Sequence, residues 1–220
     1  MRRPGRGDVP NGVVFDMDGL LLDSERLARD LFFASCRDLE LEVDAGLYHR
    51  CIGSSREATD ELLSGALGPQ RYAALVTLWS ERYEGVVRRR PVPRKPGVEA
   101  VLARLAELGV PRALATSTGR EIAEIKLRLA GLLDCFSVLV CGGETPRGKP
   151  YPDPYLAAVE GLGLTPGDCW ACEDSDNGVR AAHSAGLRVF QVPDLVQPGP
   201  DVAELGHAVL PSLGDLLTVL

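Results

Sequence analysis

The chain alternates helical and strand-like segments from Gly97 onward, and this alternation limits the possible folds more than any other feature. The strand segments are short and apolar on both faces, and the connections are short and marked by glycine. Repeated βα units of this kind build a parallel sheet with helices on both of its faces. We therefore predict an α/β protein with a Rossmann-like parallel sheet. The predicted helices span residues 98–108, 120–130, 154–162 and 179–185, and the predicted strands span residues 112–116, 136–140, 169–172 and 187–192.

A first strand is predicted far upstream, at residues 13–15, and it runs into a turn at Gly19. The next strand does not begin until residue 112, and the chain between them has helical periodicity. The proline-rich stretch 88–97 ends that pattern and is typical of a linker. The expected domains are an inserted all-helical cap at 24–94, a core formed by 11–23 and 95–220, and a flexible tail at 1–10. The cap helices are predicted at residues 24–39, 43–51, from 54 onward, and 70–89.

Composition limits the class of partner. The 220 residues are 45% hydrophobic, which is enough for a buried core, and they carry a formal net charge of −7. A net negative chain is poorly suited to nucleic acid, so we expect no nucleic acid as a partner, although a few local cations could hold a small anionic ligand. The first ten residues fit neither a signal peptide nor a membrane span. We therefore expect a cytoplasmic location, no membrane association, and a monomer or weak homodimer.

The six cysteines lack the regular spacing of a disulfide framework, which favours reduced thiols. Cys169 and Cys172 form a CxxC pair inside the predicted strand 169–172. Residues three apart on a strand point to opposite faces of the sheet. We therefore expect two packed thiols here, rather than a redox or zinc pair.

Polar residues stand where the predicted strands end. Because the carboxyl ends of parallel strands meet at one edge of an open sheet, and ligands bind in the crevice there, these residues should line one site. They are Asp16 and Asp18 after the first strand, Thr116, Ser117 and Thr118 at the second, Lys149 in the segment after the third, and Glu173 and Asp174 after the fourth.

The carboxylates of this group predict a metal. Asp16, Asp18, Glu173 and Asp174 would repel one another, since like charges a few Å apart raise each other's pKa. A bound cation resolves the repulsion. Carboxylates combined with a backbone carbonyl, waters and a substrate phosphate are the ligands that suit Mg²⁺. We therefore expect Mg²⁺ as the cofactor.

A phosphate ester as substrate gives these side chains separate roles. Asp16 can act as the nucleophile on phosphorus. Asp18 can protonate the leaving oxygen and later deprotonate water. Lys149 and the Thr116 hydroxyl can hold the oxygens of the transferring phosphoryl group. Asp16, Asp18, Thr116 and Lys149 are therefore the predicted catalytic residues.

Four ordered motifs resemble those of the haloacid dehalogenase (HAD) superfamily. They lie at residues 15–19 (FDMDG), 115–117 (ATS), 148–153 (GKPYPD) and 173–178 (EDSDNG). Within that superfamily the chain is similar to the β-phosphoglucomutase-like phosphatases, whose helical cap is inserted after the first motif. The resemblance implies an aspartyl-phosphate intermediate. It also implies Mg²⁺ bound by the carboxylates of Asp16 and Asp174 and the carbonyl of Asp18, with Glu173 close by.

Substrate contacts are expected from the core and from the start of one cap helix. The expected contacts are Ser117, Gly53, Ser54 and Arg56. An alternative explanation of the cap residues is equally good: Ser54 and Glu57 have the spacing of a capping box, and Arg56 would then be merely exposed.

Some residues of the motifs also have ordinary explanations when each is taken singly. Asp18 with Gly19 could form a turn, Thr116 could be a helix N-cap, and Asp176 could cap the helix that follows it. Lys126 is expected on a solvated helix face. The combination of four motifs in order is what favours a catalytic site over these explanations.

Two positions favour hydrolysis over phosphoryl transfer to a sugar. The related mutases carry a histidine on the first cap helix and a lysine just before the cap glycine, and those positions are Ala28 and Ile52 in this sequence. We therefore expect a Mg²⁺-dependent phosphatase acting on a small phosphate monoester, either a sugar phosphate or a nucleotide-like ester. The alternatives are a phosphosugar mutase and a catalytically silent HAD-like binding protein.

Overall fold

The structure is a computed structural model that describes residues 9–52 and 56–220, and for residues 56 and 57 it describes the backbone alone. The strands found there are β1 (Gly12–Phe15), β2 (Arg112–Gly119), β3 (Val138–Gly142), β4 (Cys169–Glu173), β5 (Arg188–Gln191) and β6 (Ala208–Val209). The helices are α1 (Ser24–Asp38), α2 (Ala45–Cys51), α3 (Arg56–Leu67), α4 (Pro69–Val87), α5 (Val98–Glu107), α6 (Arg120–Leu129), α7 (Asp153–Gly161), α8 (Asp176–Ser184) and α9 (Pro200–Ala203). Within these ranges, no helix is both long enough and apolar enough to span a membrane.

The strands of the described ranges form one six-stranded sheet in the order β3-β2-β1-β4-β5-β6. Every neighbouring pair is parallel. This is the strand order of Rossmann-like sheets, in which the crevice for ligands opens beside the central strand, where the order reverses. Helices α1 to α4 are inserted between β1 and α5. The predicted fold class, a Rossmann-like parallel sheet with an inserted all-helical cap, is confirmed.

The side chains of β1 alternate between the two faces of the sheet because successive residues of a strand point in opposite directions. Val13 and Phe15 pack in one apolar cluster together with α5 and α6, whereas Val14 packs on the other face with α7 and α8. All three side chains are fully buried. Burial on both faces explains why this strand is a continuous apolar run in the sequence.

The same alternation separates the two cysteines of the CxxC pair. Cys169 packs in the cluster beside α7 and α8, and Cys172 packs in the cluster on the opposite face. Both side chains are completely buried and form no disulfide. Burial raises the pKa of the Cys172 thiol. The expectation of two packed thiols is confirmed.

Two of the observed elements depart from the predicted bounds. Strand β2 runs on to Gly119, beyond the predicted end at Thr116. Helix α8 begins at Asp176 because Ser175 caps it, its side chain accepting a hydrogen bond from the Gly178 N–H at 3.1 Å. The possibility that Asp176 is the N-cap is therefore wrong.

The described cap helices pack around an apolar cluster of their own. The ring of Phe32 in α1 is fully buried, with its centroid 4.7 Å from the ring of Tyr48 in α2 and 5.3 Å from that of Trp79 in α4. Leu63 of α3 joins the cluster. Trp79 Nε1 donates a hydrogen bond to the Ala28 carbonyl at 2.9 Å, so its polar edge is satisfied while its ring packs.

The chain segments that lead into and out of the cap lie side by side. The Asp23 N–H donates to the Pro93 carbonyl at 2.8 Å, and the Lys95 N–H donates to the Leu21 carbonyl at 2.9 Å. The cap helices therefore leave and rejoin the core at one place, shortly after the end of β1. The exact division into a core and a cap domain stays a prediction.

Candidate active site

The carboxyl ends of β1, β2 and β4 meet at the edge of the sheet where the site is predicted. Asp16 follows β1, Thr116 lies within β2, and Glu173 ends β4. The Asp16 N–H donates to the Cys172 carbonyl of β4 at 3.0 Å, so the backbone ladder extends to the first site residue. Lys149 reaches this edge from the loop between β3 and α7, where it contacts both Asp16 and Glu173.

Asp16 is a nearly buried carboxylate bonded to a buried lysine. Its relative exposure is 6%, and Lys149 Nζ donates to Asp16 Oδ1 at 2.5 Å. Burial raises the pKa of Asp16 to about 8; Lys149 opposes this rise and Glu173 adds to it. Burial would lower the pKa of Lys149, but Asp16 and Glu173 outweigh it and raise that pKa. Lys149 therefore stays charged, and a further cation beside Asp16 would favour its ionised form.

Glu173 is fully buried, and donors of the protein occupy both of its carboxylate oxygens. Lys149 Nζ and the Tyr155 hydroxyl, the latter at 2.8 Å, donate to Oε1. The backbone N–H groups of Asp174 and Ser175 each donate to Oε2 at 3.0 Å. A Cβ at Gly178 would collide with this carboxylate, so the first turn of α8 needs a glycine here. These contacts hold Glu173 rigidly against Lys149.

Asp174 completes an acidic group with Asp16 and Glu173. A carboxylate oxygen from each of the three lies within 4.8 Å of the others, a spacing that could hold a metal ion. Burial raises the pKa of Asp174 well above its ordinary value, and Glu173 and Asp16 raise it further. Gly19, at a φ of +81°, brings the backbone so close to Asp174 Oδ2 that a Cβ would collide with it. The crowding of carboxylates fits a divalent cation, whose charge would offset their repulsion.

The Asp18 carboxylate forms its hydrogen bonds and its ion pair with residues outside that acidic group. Ser24 Oγ donates to Asp18 Oδ1 at 2.5 Å, and Thr118 Oγ1 donates to Oδ2 at 2.7 Å. Lys126 Nζ forms an ion pair with Oδ1. Burial would raise the pKa of Asp18, but Lys126 outweighs it and lowers that pKa. These three donors therefore hold the carboxylate in one orientation.

The prediction that Lys126 lies on a solvated helix face is wrong. Its side chain is completely buried, and besides Asp18 its Nζ donates to the Tyr83 hydroxyl at 3.0 Å. The spacing of Ala123, Lys126 and Leu127 puts the lysine on the buried face of α6. The helical period carried this signal, but a charged side chain is seldom buried unless a partner neutralises it, and that partner lies far away in sequence.

At the end of β2, Thr116 is buried and its neighbour Ser117 is exposed to solvent. Thr116 is 3% exposed, and its Oγ1 accepts a hydrogen bond from the Thr118 N–H at 3.1 Å. Ser117 is exposed toward the cavities described below. Gly119, not Thr116, is the N-cap of α6, so the explanation of Thr116 as a helix cap is wrong.

Two adjoining cavities open onto these residues. One of about 350 Å³ is lined by Asp16, Lys149 and Asp174, and another of about 430 Å³ extends beneath the cap helices beside Trp79 and Tyr83. Both cavities are also lined by the side chains of Asp18, Glu25 and Ser117. Asp18 therefore lies where both cavities could bring a substrate close to it.

The structure brings together the predicted residues of the core but leaves the cap contacts untested. Gly53 and Ser54 lie outside the described residues, and the side chain of Arg56 is not among those described. Sequence reasoning missed further residues at this place. They are Lys126, Tyr155, Glu25 and Asp194, which reach the site or its cavities by tertiary contact.

Asp194 connects the core to the first cap helix and to the outgoing linker of the cap. It lies in the loop after β5, with its side chain 2% exposed. Arg26 Nη1 of α1 donates to Asp194 Oδ1 at 2.8 Å, and Lys95 of the outgoing linker forms an ion pair with the same oxygen. No local pattern marks this aspartate, because its partners are distant in sequence.

The raised pKa of Glu25 should make the stability of the protein depend on pH. Burial raises its pKa from 4.5 to about 7, and Asp18 and Asp194 add to the rise while Lys126 and Lys95 oppose it. Between these two values the folded protein keeps a proton that the unfolded chain releases. The contribution of Glu25 to stability therefore falls as pH rises through this window, and the loss is complete above about pH 7.

Glu25→Gln removes this titration. The free energy of unfolding of the variant minus that of the wild type is expected to grow by on the order of 1–3 kcal/mol between pH 4.5 and pH 8. Urea denaturation in metal-free buffer measures it. Glu81→Gln, which removes a charge from an exposed position of α4, is the control and should give a flat difference. A flat difference for Glu25→Gln as well would contradict the assignment.

Comparison with known proteins agrees with the motifs. A family model for haloacid dehalogenase-like hydrolases matches residues 10–186. Protein CbbY, encoded on a plasmid of Cupriavidus necator, is 33% identical over 218 residues, covering 92% of this chain and 85% of that protein. A phosphorylated carbohydrates phosphatase of Thermotoga maritima is 30% identical over 209 residues, covering 94% and 97%.

A solved structure shows the same fold. It comes from Thermotoga maritima, is provisionally assigned as a β-phosphoglucomutase, and superposes with a TM-score of 0.75 at 28% identity. The alignment covers 94% of this chain and 97% of that one. The family match spans every one of the four motifs. The chain therefore belongs to the haloacid dehalogenase-like hydrolases, in their β-phosphoglucomutase-like branch, and is an enzyme of the phosphoric monoester hydrolase class.

Proposed function

We propose that this enzyme is a Mg²⁺-dependent phosphatase that hydrolyses a small phosphate monoester through an aspartyl-phosphate on Asp16. One observation carries the proposal. The Asp16 carboxylate lies beside Asp174, bonded to Lys149 at 2.5 Å, and lines a cavity of about 350 Å³. A nucleophile, a cation and a metal-competent carboxylate thus face one space large enough for a small ester.

The first step transfers the phosphoryl group to the enzyme. An Asp16 oxygen attacks phosphorus, the bond between phosphorus and the leaving oxygen breaks, and Asp18 supplies the proton that the leaving oxygen takes. The Lys149 ammonium and the Thr116 hydroxyl hold the phosphoryl oxygens. Lys149 suits this role because Glu173 accepts a second hydrogen bond from its ammonium group and so fixes its position beside Asp16.

The second step returns the enzyme to its starting state. Water attacks phosphorus, Asp18 takes a proton from that water, and the bond between phosphorus and the Asp16 oxygen breaks to release inorganic phosphate. Asp18 thus ends protonated and ready for the next leaving group. The position of Asp18 between the two cavities supports both proton transfers.

The residues that would hold Mg²⁺ are the carboxylates of Asp16 and Asp174 and the backbone carbonyl of Asp18. When bound, Mg²⁺ supplies positive charge that offsets the phosphoryl oxygens and the carboxylates. Glu173 stays in the proposed site as a neighbour of the metal. Its carboxylate already accepts hydrogen bonds at both oxygens, which supports a role in holding Lys149 beside the metal.

Phosphorylated carbohydrates are the proposed substrate class, in preference to nucleotide-like esters. One relative is named for its action on phosphorylated carbohydrates. The first cavity also offers carboxylate acceptors beyond the reacting pair, at Glu25 and Asp194. Such acceptors suit the hydroxyl groups of a sugar. Contacts from Ser117, Gly53, Ser54 and Arg56, a cytoplasmic location and a monomer or weak homodimer stay predictions.

Two cavity residues support hydrolysis over mutase action. Ala28 lines the second cavity and Ile52 lines the first, so the positions that carry histidine and lysine in the related mutases face the cavities here without a polar group. A mutase must steer the phosphoryl group back to a sugar hydroxyl rather than to water. Apolar side chains at both positions offer nothing to do so.

The source of the oxygen in the product tests this function. With Mg²⁺ in H₂¹⁸O, the enzyme is expected to release inorganic phosphate from p-nitrophenyl phosphate and from phosphorylated carbohydrates, each phosphate carrying one ¹⁸O because water attacks phosphorus. A mutase would instead give an isomeric sugar phosphate without ¹⁸O. A silent binding protein would give neither product, and either result would overturn the proposal.

A further inference from the structure

Lys126 is a buried cation at the active site that none of the four motifs contains. Its side chain is completely buried in the middle of α6. Its Nζ contacts Asp18 Oδ1 and donates to the Tyr83 hydroxyl at 3.0 Å, with the Tyr83 ring centroid 5.5 Å away. A buried ammonium group is costly unless it is paired, and Asp18 is the carboxylate that pairs with it. The lysine and the proposed acid–base residue therefore depend on each other.

The Asp18 carboxylate is fixed by groups from both parts of the molecule. Thr118 of β2 and Lys126 of α6 belong to the sheet side, whereas Ser24 begins the first helix of the cap. Thr118 and Ser24 are neutral donors. Among these three, only Lys126 supplies a full positive charge. Without that charge, the Asp18 carboxylate could turn toward water or toward the acidic group of Asp16, Glu173 and Asp174.

Tyr83 extends this network to a second cap helix. It lies in α4, packs against the core cluster and lines the second cavity together with Asp18 and Thr118. Its hydroxyl accepts the hydrogen bond from Lys126, so the chain of contacts runs from the cap helix through Lys126 to Asp18. A shift of α4 would therefore change the position of the Asp18 carboxylate.

We propose that Lys126 is a positioning residue that holds the Asp18 carboxylate in place for proton transfer, and that Tyr83 makes this position depend on the placement of cap helix α4. The inference rests on the proposed function, in which Asp18 is the acid and base. The Lys126 side chain bonds to the Asp18 carboxylate and to Tyr83, and not to the oxygens that would hold the metal. It acts through the orientation of Asp18, and its contribution should appear in the step that most needs Asp18.

A burst experiment isolates that step. With p-nitrophenyl phosphate the leaving group departs as a stable anion and needs no proton, so the first step depends little on Asp18. Hydrolysis of the phosphoenzyme does need Asp18, because water must lose a proton. Rapid mixing separates the two steps: p-nitrophenolate released in the first turnover reports phosphorylation of Asp16, and the steady-state rate reports the hydrolysis that follows.

Lys126→Met is expected to keep a burst of about one equivalent per site and to lower the steady-state rate by about 10²-fold relative to the wild type. Lys126→Arg should recover at least about tenfold of that loss, since a guanidinium can still bond the carboxylate. Tyr83→Phe should lower the steady-state rate by a smaller factor and leave the burst intact. In each case acid quenching should reveal more phosphoenzyme than in the wild type.

Lys95→Met is the matched control. Lys95 also pairs with a nearly buried aspartate, Asp194, but it makes no contact with Asp18. This variant should lose stability and keep the wild-type ratio of burst to steady-state rate. The same change of ratio in Lys95→Met would overturn the inference, because it would show a general effect of breaking a lysine–aspartate pair.

Results with the Lys126 and Tyr83 variants can also overturn the inference. A folded Lys126→Met with a steady-state rate within about threefold of the wild type would overturn the inference, as would a burst and a steady state that fall equally. If Lys126→Met does not fold, a wild-type ratio in folded Tyr83→Phe overturns the coupling to α4. Failure of the proposed function looks different, because the wild type itself would then form no phosphoenzyme that depends on Asp16.

Discussion

Asp16→Asn is expected to lower the turnover of phosphate monoesters by at least about 10⁴-fold, because an amide oxygen cannot form the acyl phosphate. The substitution is nearly isosteric and leaves Lys149 a hydrogen-bond acceptor in place of Oδ1. The fold and the cavity should therefore persist. Binding of inorganic phosphate should be kept or strengthened, since a negative charge beside the anion is lost. Steady-state kinetics and calorimetry measure the two effects.

Asp176→Asn is the control for the loss of a carboxylate from the same cavity. Asp176 lines the first cavity, and its carboxylate accepts hydrogen bonds from Gln191 Nε2 at 3.2 Å and from the Gly199 N–H at 3.0 Å. The asparagine oxygen can still accept one of these two bonds, and Asp176 takes no part in the proposed chemistry. Activity should therefore stay within about threefold of the wild type. If Asp16→Asn is as active as this control, with deamidation excluded by mass spectrometry, Asp16 is not the nucleophile.

Removal of Mg²⁺ by a chelator is expected to abolish turnover, and added Mg²⁺ should restore it. The three carboxylates of Asp16, Glu173 and Asp174 lie so close together that without a cation burial and mutual repulsion raise the pKa of Asp16 and Asp174. A protonated Asp16 is no nucleophile. Ca²⁺, which prefers more ligands and longer distances, should restore little activity.

Thermal unfolding gives a second readout of the same site. Mg²⁺ should raise the melting temperature of the wild type, because a ligand that binds only the folded state stabilises it. Asp174→Asn should be at least as stable as the wild type without metal, since one repelling charge is gone, and it should lose the stabilisation by Mg²⁺. Equal stabilisation of both proteins by Mg²⁺ would place the metal elsewhere.

The sequence was sufficient to predict the fold class. Short apolar strands alternating with amphipathic helices leave few arrangements other than a parallel sheet covered on both faces, and β1 to β5 lie where that pattern puts them. The long helical interval between β1 and β2 likewise required an insertion. The edge strand β6 and the short helix α9 were not predicted, because a segment of a few residues carries too little periodicity.

The sequence also predicted which core residues meet. Asp16, Lys149 and Glu173 are far apart in the chain, but each stands at or after the end of a predicted parallel strand, and the topology of such a sheet brings those ends together. The parallel direction of the strands follows from the alternation of strands and helices. The approximate location of the site could therefore be predicted without knowledge of any side-chain contact.

The tertiary structure alone decided the state of individual side chains. The sequence predicted a solvated Lys126, but this lysine is the buried partner of Asp18. The sequence placed Glu173 close to the metal, and only the structure shows that its oxygens accept hydrogen bonds from Lys149, Tyr155 and backbone N–H groups. The physical reason is that hydropathy and periodicity describe only how a residue relates to its near neighbours in the chain. Pairing of buried charges acts through space between segments such as α6 and the loop after β1, and no local pattern records it.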